Sequence, residues 1–460
     1  MYKTVTKFII CSALLSAACA TTESSSSTDL SAKVAELSKE ITKLQQEIGS
    51  LSGTKEPENF LELDKKDTFS SSAVTTSPTL GLRSLHNGGD LVVNFSTMNE
   101  DVRLLEQRAA FQQQRKKDEL SKPLLELSGA LRGSIDYSKS SNGLSSSNIN
   151  LADAEIDAFA EVNRMVSGFF SLSYDSGLPG YSIDSASSGG SYYKNAWSNI
   201  YLKRGFITIG DFTKSNWYSS VGQMYVPFGK FSSFQVTSTL VSSLGKTQGR
   251  AVDIGYRTKD LIATVYGMKG TSYSSTSNPA INSWGGNVQK TMDLTKGLNL
   301  TLGAGYISNL ADSNGVLGII DDINSGVTTD RYMIDHDMPA YDLYAKLSLG
   351  DWLFNIEYLN ADKSLSISDT EYGKPAALQL EVDRMFNIGS LPASIAFGYG
   401  HISDFLRMPQ NSYAVSFNTY LFKDTVQSLE FRHLSANKNS SSDDLSFNKN
   451  AITAMFSMYF

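Results

Sequence analysis

Asp335-His336-Asp337, with Asp330 before it and Asp342 after it, gathers carboxylate and imidazole donors in one short stretch. A hard or borderline divalent cation such as ferrous iron accepts such ligands, and a solvated loop carries the same residues with no metal at all. A second set of charged residues is spread along the chain: Glu126, Asp136, Glu155, Asp157, Glu161, Asp253, Asp342, Glu357, Glu381, Asp383 and Glu430, against Arg132, Arg257, Lys346 and Arg432. Each alternates with apolar neighbours, which places it on one face of a strand. Acids outnumber bases in this set, and rings of carboxylates favour cations. The other reading is a set of solvated wall residues paired with bases. No nucleophile and base are spaced for catalysis. His433 near Ser435 is too little, and His86 and His401 have no partner pattern. No catalytic residue and no cofactor are expected.

The elements that must position these residues are strands. At the C-terminus Ile452, Ala454, Phe456, Met458 and Phe460 alternate with Thr453, Met455, Ser457 and Tyr459. A strand in a closed membrane barrel puts every second side chain into lipid, and about ten residues span the hydrocarbon. A terminal aromatic such as Phe460 is the usual address for the barrel assembly machinery. Leu125, Leu127, Leu131, Ile135 and Tyr137 repeat the pattern, as do Tyr341 to Leu349 and Trp352 to Tyr358. Tight turns are expected near 165, 212, 258, 296, 350, 388 and 423. Longer polar loops are expected at 138–148, 177–193, 227–248, 271–285, 309–338, 361–375, 403–411 and 435–447. That makes an all-β antiparallel barrel of about sixteen strands over 123–460, with one bulged strand in 195–209 and both termini periplasmic. Sixteen strands leave an aqueous channel unless something fills it. The third long loop, from Gly229 to Gly249 with Lys230 and Lys246, stands where general porins fold a loop inward as a constriction.

Ahead of the barrel, Lys3 and Lys7 precede the apolar run Phe8 to Ala18, which reads as a secretory signal over 1–20. Cleavage after Ala18-Cys19-Ala20 and lipidation of Cys19 are both open. Neither leaves a disulfide, because Cys11 departs with the signal. Residues 21–57 carry Leu30, Val34, Leu37, Ile41, Leu44, Ile48 and Leu51, a 4-3 repeat with β-branched residues at a and leucine at d. This predicts a periplasmic coiled coil, and through it a homo-oligomer of open number; an amphipathic helix lying on its own barrel is the alternative. Residues 58–122 form a Ser/Thr-rich linker followed by a helix with a Thr97/Glu100 capping box and an apolar stripe of Val102, Leu105 and Ala109. This segment is expected either in the lumen as a partial plug or in the periplasm beneath the barrel.

Composition agrees. After the signal there is no eighteen-residue apolar run, so no transmembrane helix is expected, while 22 Tyr and 23 Phe suffice for interfacial girdles. A net charge of −7 leaves no nucleic-acid footprint. The expected partners are outer-membrane lipid and the assembly machinery of a Gram-negative outer membrane.

The run Gly222-Gln223-Met224-Tyr225-Val226-Pro227-Phe228-Gly229-Lys230-Phe231, the segment Met98 to Arg108, and the order signal, coiled coil, linker, barrel resemble the siderophore-porin family of outer-membrane iron-uptake proteins, of the LbtU, FslE and FupA type. The resemblance covers nearly the whole mature chain. It implies iron acquisition, with ferrous iron or a ferric siderophore as the transported substrate and no energised plug of the TonB-dependent kind. It carries over no ligand residues. A general or differently selective diffusion porin is the alternative.

Overall fold

Two-residue alternation dictates the architecture. We describe it from a computed structural model, over residues 124–175, 199–272, 281–295, 297–323, 334–389, 391–403, 405, 408–422, 425–435 and 448–459. The chain divides into two compact units, Met1–Asp67 and Thr68–Phe460, and every described residue belongs to the second. The expected signal 1–20, Cys19, the heptads of 21–57, the segment 58–122 and the terminal Phe460 lie outside the described residues.

The strands are β1 (Leu124–Ser140), β2 (Ser145–Glu161), β3 (Val166–Asp175), β4 (Asn199–Ile209), β5 (Trp217–Tyr225), β6 (Gln248–Arg257), β7 (Leu261–Lys269), β8 (Ser283–Thr295), β9 (Leu298–Ile307), β10 (Ala340–Leu349) and β11 (Trp352–Ala361). There follow a small hairpin, β12 (Ser366–Ile367) and β13 (Thr370–Glu371), and then β14 (Ala376–Ile388), β15 (Leu391–Ser403), β16 (Asn411–Thr419), β17 (Thr425–Ser435) and β18 (Lys449–Tyr459). Among the described residues two α-helices interrupt the loops, α1 (Leu240–Gly245) and α2 (Asn314–Ile323), the latter preceded by a short 3-10 turn at Leu310–Asp312. Sixteen strands close into one antiparallel barrel, β1 pairing with β18, while β12 and β13 stand apart as their own two-stranded sheet. No helix among the described residues is long and apolar enough to cross a membrane.

Closure satisfies the backbone of every spanning strand without an exposed edge, which a bilayer requires. The alternation then sorts the side chains. Ile356 is 49% exposed on the outer surface, whereas its neighbour Glu357 is 6% exposed on the inner one. Ile452, Phe456 and Met458 likewise face out, and Thr453, Ser457 and Tyr459 face in. Aromatic pairs collect near the strand ends: Trp284 with Tyr306 and Tyr399 with Tyr413 toward the loops, Trp217 with Tyr256 toward the turns.

Among the described residues the expected turns recur at 162–165, 210–216, 258–260 and 350–351. One loop differs. Residues 138–148 are not a long loop but the ends of two 17-residue strands joined by a turn at 141–144. Ser138 and Ser146 hydroxyls bond across the ladder at 2.8 Å, so a Ser/Asn-rich run here extends the sheet. Composition alone reads such a run as loop, because polar strand residues and loop residues have the same chemistry.

Within the barrel, on the loop side, sits a second apolar core. Phe228 and Phe231, Leu240 and Leu244 of α1, and Val316 and Ile320 of α2 join wall residues such as Leu359 and Ile402. The 227–247 and 309–323 segments are therefore helix-bearing inserts packed into the mouth.

Candidate functional site

The loop after β5 crosses the lumen as a strap. Three glutamates on the far wall hold it by its backbone. Glu357 of β11 accepts from the Lys230 N–H at 2.6 Å and from the Phe231 N–H at 2.9 Å. Glu381 of β14 accepts from Ser233 Oγ at 2.6 Å, the Phe234 N–H at 2.7 Å and Gln235 Nε2 at 2.8 Å. Glu430 of β17 accepts from the Val236 N–H at 2.7 Å, from the Thr237 hydroxyl and from Ser416 Oγ at 2.6 Å. Two further bonds run to strap carbonyls: Asn418 Nδ2 donates to Phe234 O at 3.1 Å and Arg432 to Ser238 O at 2.6 Å. Hydrogen bonds to ionised acceptors are the strong ones, and these lie away from bulk water.

The 222–231 motif launches this strap. Gly229 adopts φ +75°, open to glycine alone at low cost. Phe231 follows at φ 52°, a strain of about 1–3 kcal/mol that the Glu357 bonds offset. Further along, the strap lies so close to β15 that a Cβ on Gly398 would sit 1.8 Å from Gln235 Nε2. α1 then starts from Thr239, whose hydroxyl accepts the Ser242 N–H, and buries Leu240, Val241 and Leu244.

Glu357, Glu381 and Glu430, expected as permeation carboxylates, therefore hold the strap, because their inward facing also puts them under its N–H groups. Lys230 and Lys246, expected on the constriction loop, do lie on it. Lys230 Nζ reaches Gln289 Oε1 at 3.1 Å, and Lys246 Nζ sits 4.4 Å from the Tyr225 ring centre. Lys346 of β10 faces inward in the field of Asp383 and Glu381. Asp342 is fully buried beside Glu357. Asp253 accepts the Ser220 N–H at 2.7 Å within the wall, and Arg257 stands over the Phe212 ring. Asp136 accepts from Ser134 and Asn150. Arg132, Asp157 and Glu161 are buried and face inward. The side chain of Glu126 is outside the described ones.

Across the lumen from the strap, Glu155 of β2 is bracketed by Lys203 Nζ at 2.7 Å and Arg204 at 3.1 Å, and Ser171 donates to it. Neither base was among the expected lumen residues. Strict alternation would send one of two adjacent residues into lipid. A β-bulge resolves this: Ser171 pairs with Arg204 and Leu172 with Leu202, so Lys203 is the extra residue and both cations turn inward. The bulge frees backbone carbonyls, which Gln223 caps by donating from the outer face to Leu202 O at 2.7 Å and to Lys203 O. The signal was present in the sequence as two consecutive cations within a spanning strand.

Among the described residues, Asp335 and His336 of the Asp335-His336-Asp337 group have protein partners. Asp335 accepts from Ser366 Oγ and the Asp369 N–H, which hold its carboxyl below the usual range, and so ties the 334–339 segment to the β12–β13 hairpin. His336 Nδ1 lies 3.2 Å from the Asp337 carbonyl. Asp342, which belongs to the same sequence cluster, is on the inner wall because β10 alternates, and Asp330 is outside the described residues. Among the described residues no three His, Cys, Asp or Glu side chains gather as ligands. Elsewhere in the loops, Asp312 is buried, accepting from Ser272 and the Thr271 N–H, and burial pushes its carboxyl up.

No family model matches the chain. It is 32% identical over 422 residues to the UPF0422 protein of Coxiella burnetii, covering 86% of this chain and 86% of that one. It is 29% identical over 380 residues to the UPF0422 protein lpl2888 of Legionella pneumophila strain Lens, covering 78% of this chain and 69% of the relative. Among solved structures, OprB of Pseudomonas putida superimposes with a TM-score of 0.50 at 10% identity, over 73% of this chain and 94% of that one, a likeness of fold.

Proposed function

Starting from a chain that belongs to the UPF0422 family and folds as a strapped sixteen-stranded barrel, we propose a porin-type channel of the Gram-negative outer membrane, with the short turns and both termini periplasmic. The observation that carries this reading is the strap itself. A loop pinned to the far wall by Glu357, Glu381 and Glu430 narrows a lumen lined by charged and hydroxyl groups, the construction suited to sieving small hydrophilic solutes. The cargo we propose is iron, as ferrous ion or ferric siderophore; the resemblance at 222–231 and 98–108 supports it. A homo-oligomer through residues 21–57 belongs to the same proposal. A general diffusion porin is the second reading. It is favoured by the pairing of lumen charges, since three glutamates are taken by the strap and Glu155 by Lys203 and Arg204.

Planar-bilayer recording from the purified protein tests the channel reading: stepwise ohmic conductance is expected, and a silent folded barrel refutes it. Uptake of radiolabelled ferrous iron against ferric siderophore, in a strain lacking the gene, separates the cargoes. Unchanged uptake of both leaves the diffusion porin.

A further inference from the structure

Two cations stand side by side on the outer surface at the loop-side ends of β6 and β7. Arg250 pairs directly with Lys269, and both are exposed. Cross-strand partners hold their Cβ atoms about 5 Å apart, and like charges placed so repel. Among the described residues neither side chain has a hydrogen bond or an ion pair. Asp253, the one acid in β5, β6 and β7, faces the lumen. A lone cation on the rim such as Lys139 differs, because its cross-strand neighbours, Asn450 and Ser145, are uncharged.

The height of the pair on the barrel decides what covers it. Trp284 of β8 pairs with Gly267 of β7, faces outward and lies against Tyr306, which marks the aromatic girdle on the loop side. Lys269 is two residues nearer the loops, about 7 Å at the rise of a strand, and so stands at the level of the headgroups, with Arg250 beside it. Below the pair Val252, Ile254 and Val265 are exposed on the same outer face. Cations above an apolar strip match an anionic lipid, with its chains on the strip and its head between the charges. A phosphate satisfies both cations at once, since a guanidinium binds two of its oxygens and an ammonium meets it as a point charge. We propose that Arg250 and Lys269 form a headgroup site for a phosphorylated glycolipid of the outer leaflet, with its acyl chains along Val252, Ile254, Val265 and Trp284. The site rests on the outer-membrane reading, which turns the loop side toward that leaflet.

Lipid titration of the purified full-length protein in a neutral detergent, read by native mass spectrometry, tests the site. The heat-dependent gel shift of a folded barrel checks each variant first. The unaltered protein is expected to bind bis-phosphorylated lipid A, and to bind dephosphorylated lipid A, phosphatidylglycerol and inorganic phosphate far more weakly. Arg250→Gln with Lys269→Gln is expected to weaken lipid A binding roughly 25-fold, about fivefold for each charge removed. Lys290→Gln removes an exposed cation from the outer face of β8 at its turn-side end and is expected to change nothing. An unchanged affinity in the folded double variant, an equal loss in Lys290→Gln, or equally tight binding of any of the three comparison ligands overturns the proposal. Conductance is judged separately. A silent barrel that binds lipid A through these residues sinks the channel reading and leaves the site intact, whereas a conducting barrel that does not bind it sinks the site alone.

Discussion

Removing the Glu381 carboxylate is the sharpest test of the strap. In Glu381→Ala the strap loses bonds from Ser233 Oγ, the Phe234 N–H and Gln235 Nε2, at 2.6, 2.7 and 2.8 Å. Hydrogen bonds to a charged partner contribute roughly 1.5–3 kcal/mol each. Water entering the lumen replaces part of that, leaving about 2–4 kcal/mol in favour of the released strap. At about 1.4 kcal/mol per tenfold, the ratio of released to held strap rises roughly 30- to 700-fold. Glu357 and Glu430 still hold the segments on either side, so the single variant is expected to show brief conductance excursions and raised open-channel noise. The triple variant Glu357→Ala, Glu381→Ala, Glu430→Ala is expected to show a larger steady conductance. Asp253→Asn is the control, because Asp253 bonds the Ser220 N–H within the β5–β6 wall. Single-channel recording reads all three. Wild-type conductance and noise in a folded triple variant, or the same change in the control, refutes the reasoning.

Gln223→Leu uncovers the Leu202 carbonyl beside lipid and leaves Lys203 O to Gln248 Nε2 alone; it is expected to cost about 1–3 kcal/mol, read as a lower urea midpoint. Glu155→Ala leaves Lys203 and Arg204 without their shared carboxylate; a loss of about 3–5 kcal/mol is expected, together with a reversal potential moved toward anions. Asp312 has its carboxyl raised by burial, so its ionisation opposes folding above its folded pKa, and that cost vanishes below the unfolded value of about 3.8. Asp312→Asn keeps the Oδ1 acceptor and is therefore expected to raise the melting temperature at pH 7, with the gain disappearing near pH 3.

How far the sequence reaches depends on the range of the interaction. The barrel was legible, because lipid imposes a two-residue period on every strand and each turn breaks it locally. Phe354, Ile356 and Tyr358 against Asn355 and Glu357 need no distant partner to be read. The 138–148 stretch was misread for a local reason, since serine serves equally in a turn and in a sheet beyond the membrane. The role of the glutamates was illegible in another sense. Glu357 is separated in sequence from Lys230 by 127 positions, and its partner is a backbone N–H, which has no letter in the sequence. Facing could be inferred for it, but function could not.

Lys203 and Arg204 lie between these cases. A lysine or arginine on the lipid face of a barrel costs about 2–4 kcal/mol at the midplane, so adjacent cations in a spanning strand require a break in the alternation. A bulge there requires in turn a donor for the carbonyls it frees. Gln223, a polar residue sharing the outer face with Trp217 and Val221, supplies that donor from the neighbouring strand. The glutamine of the 222–231 motif thus belongs to the bulge as much as to the strap. It links the cationic wall of the lumen to the loop that narrows it, so loosening of the bulge in Gln223→Leu should also disturb the Glu155 ion pairs opposite the strap.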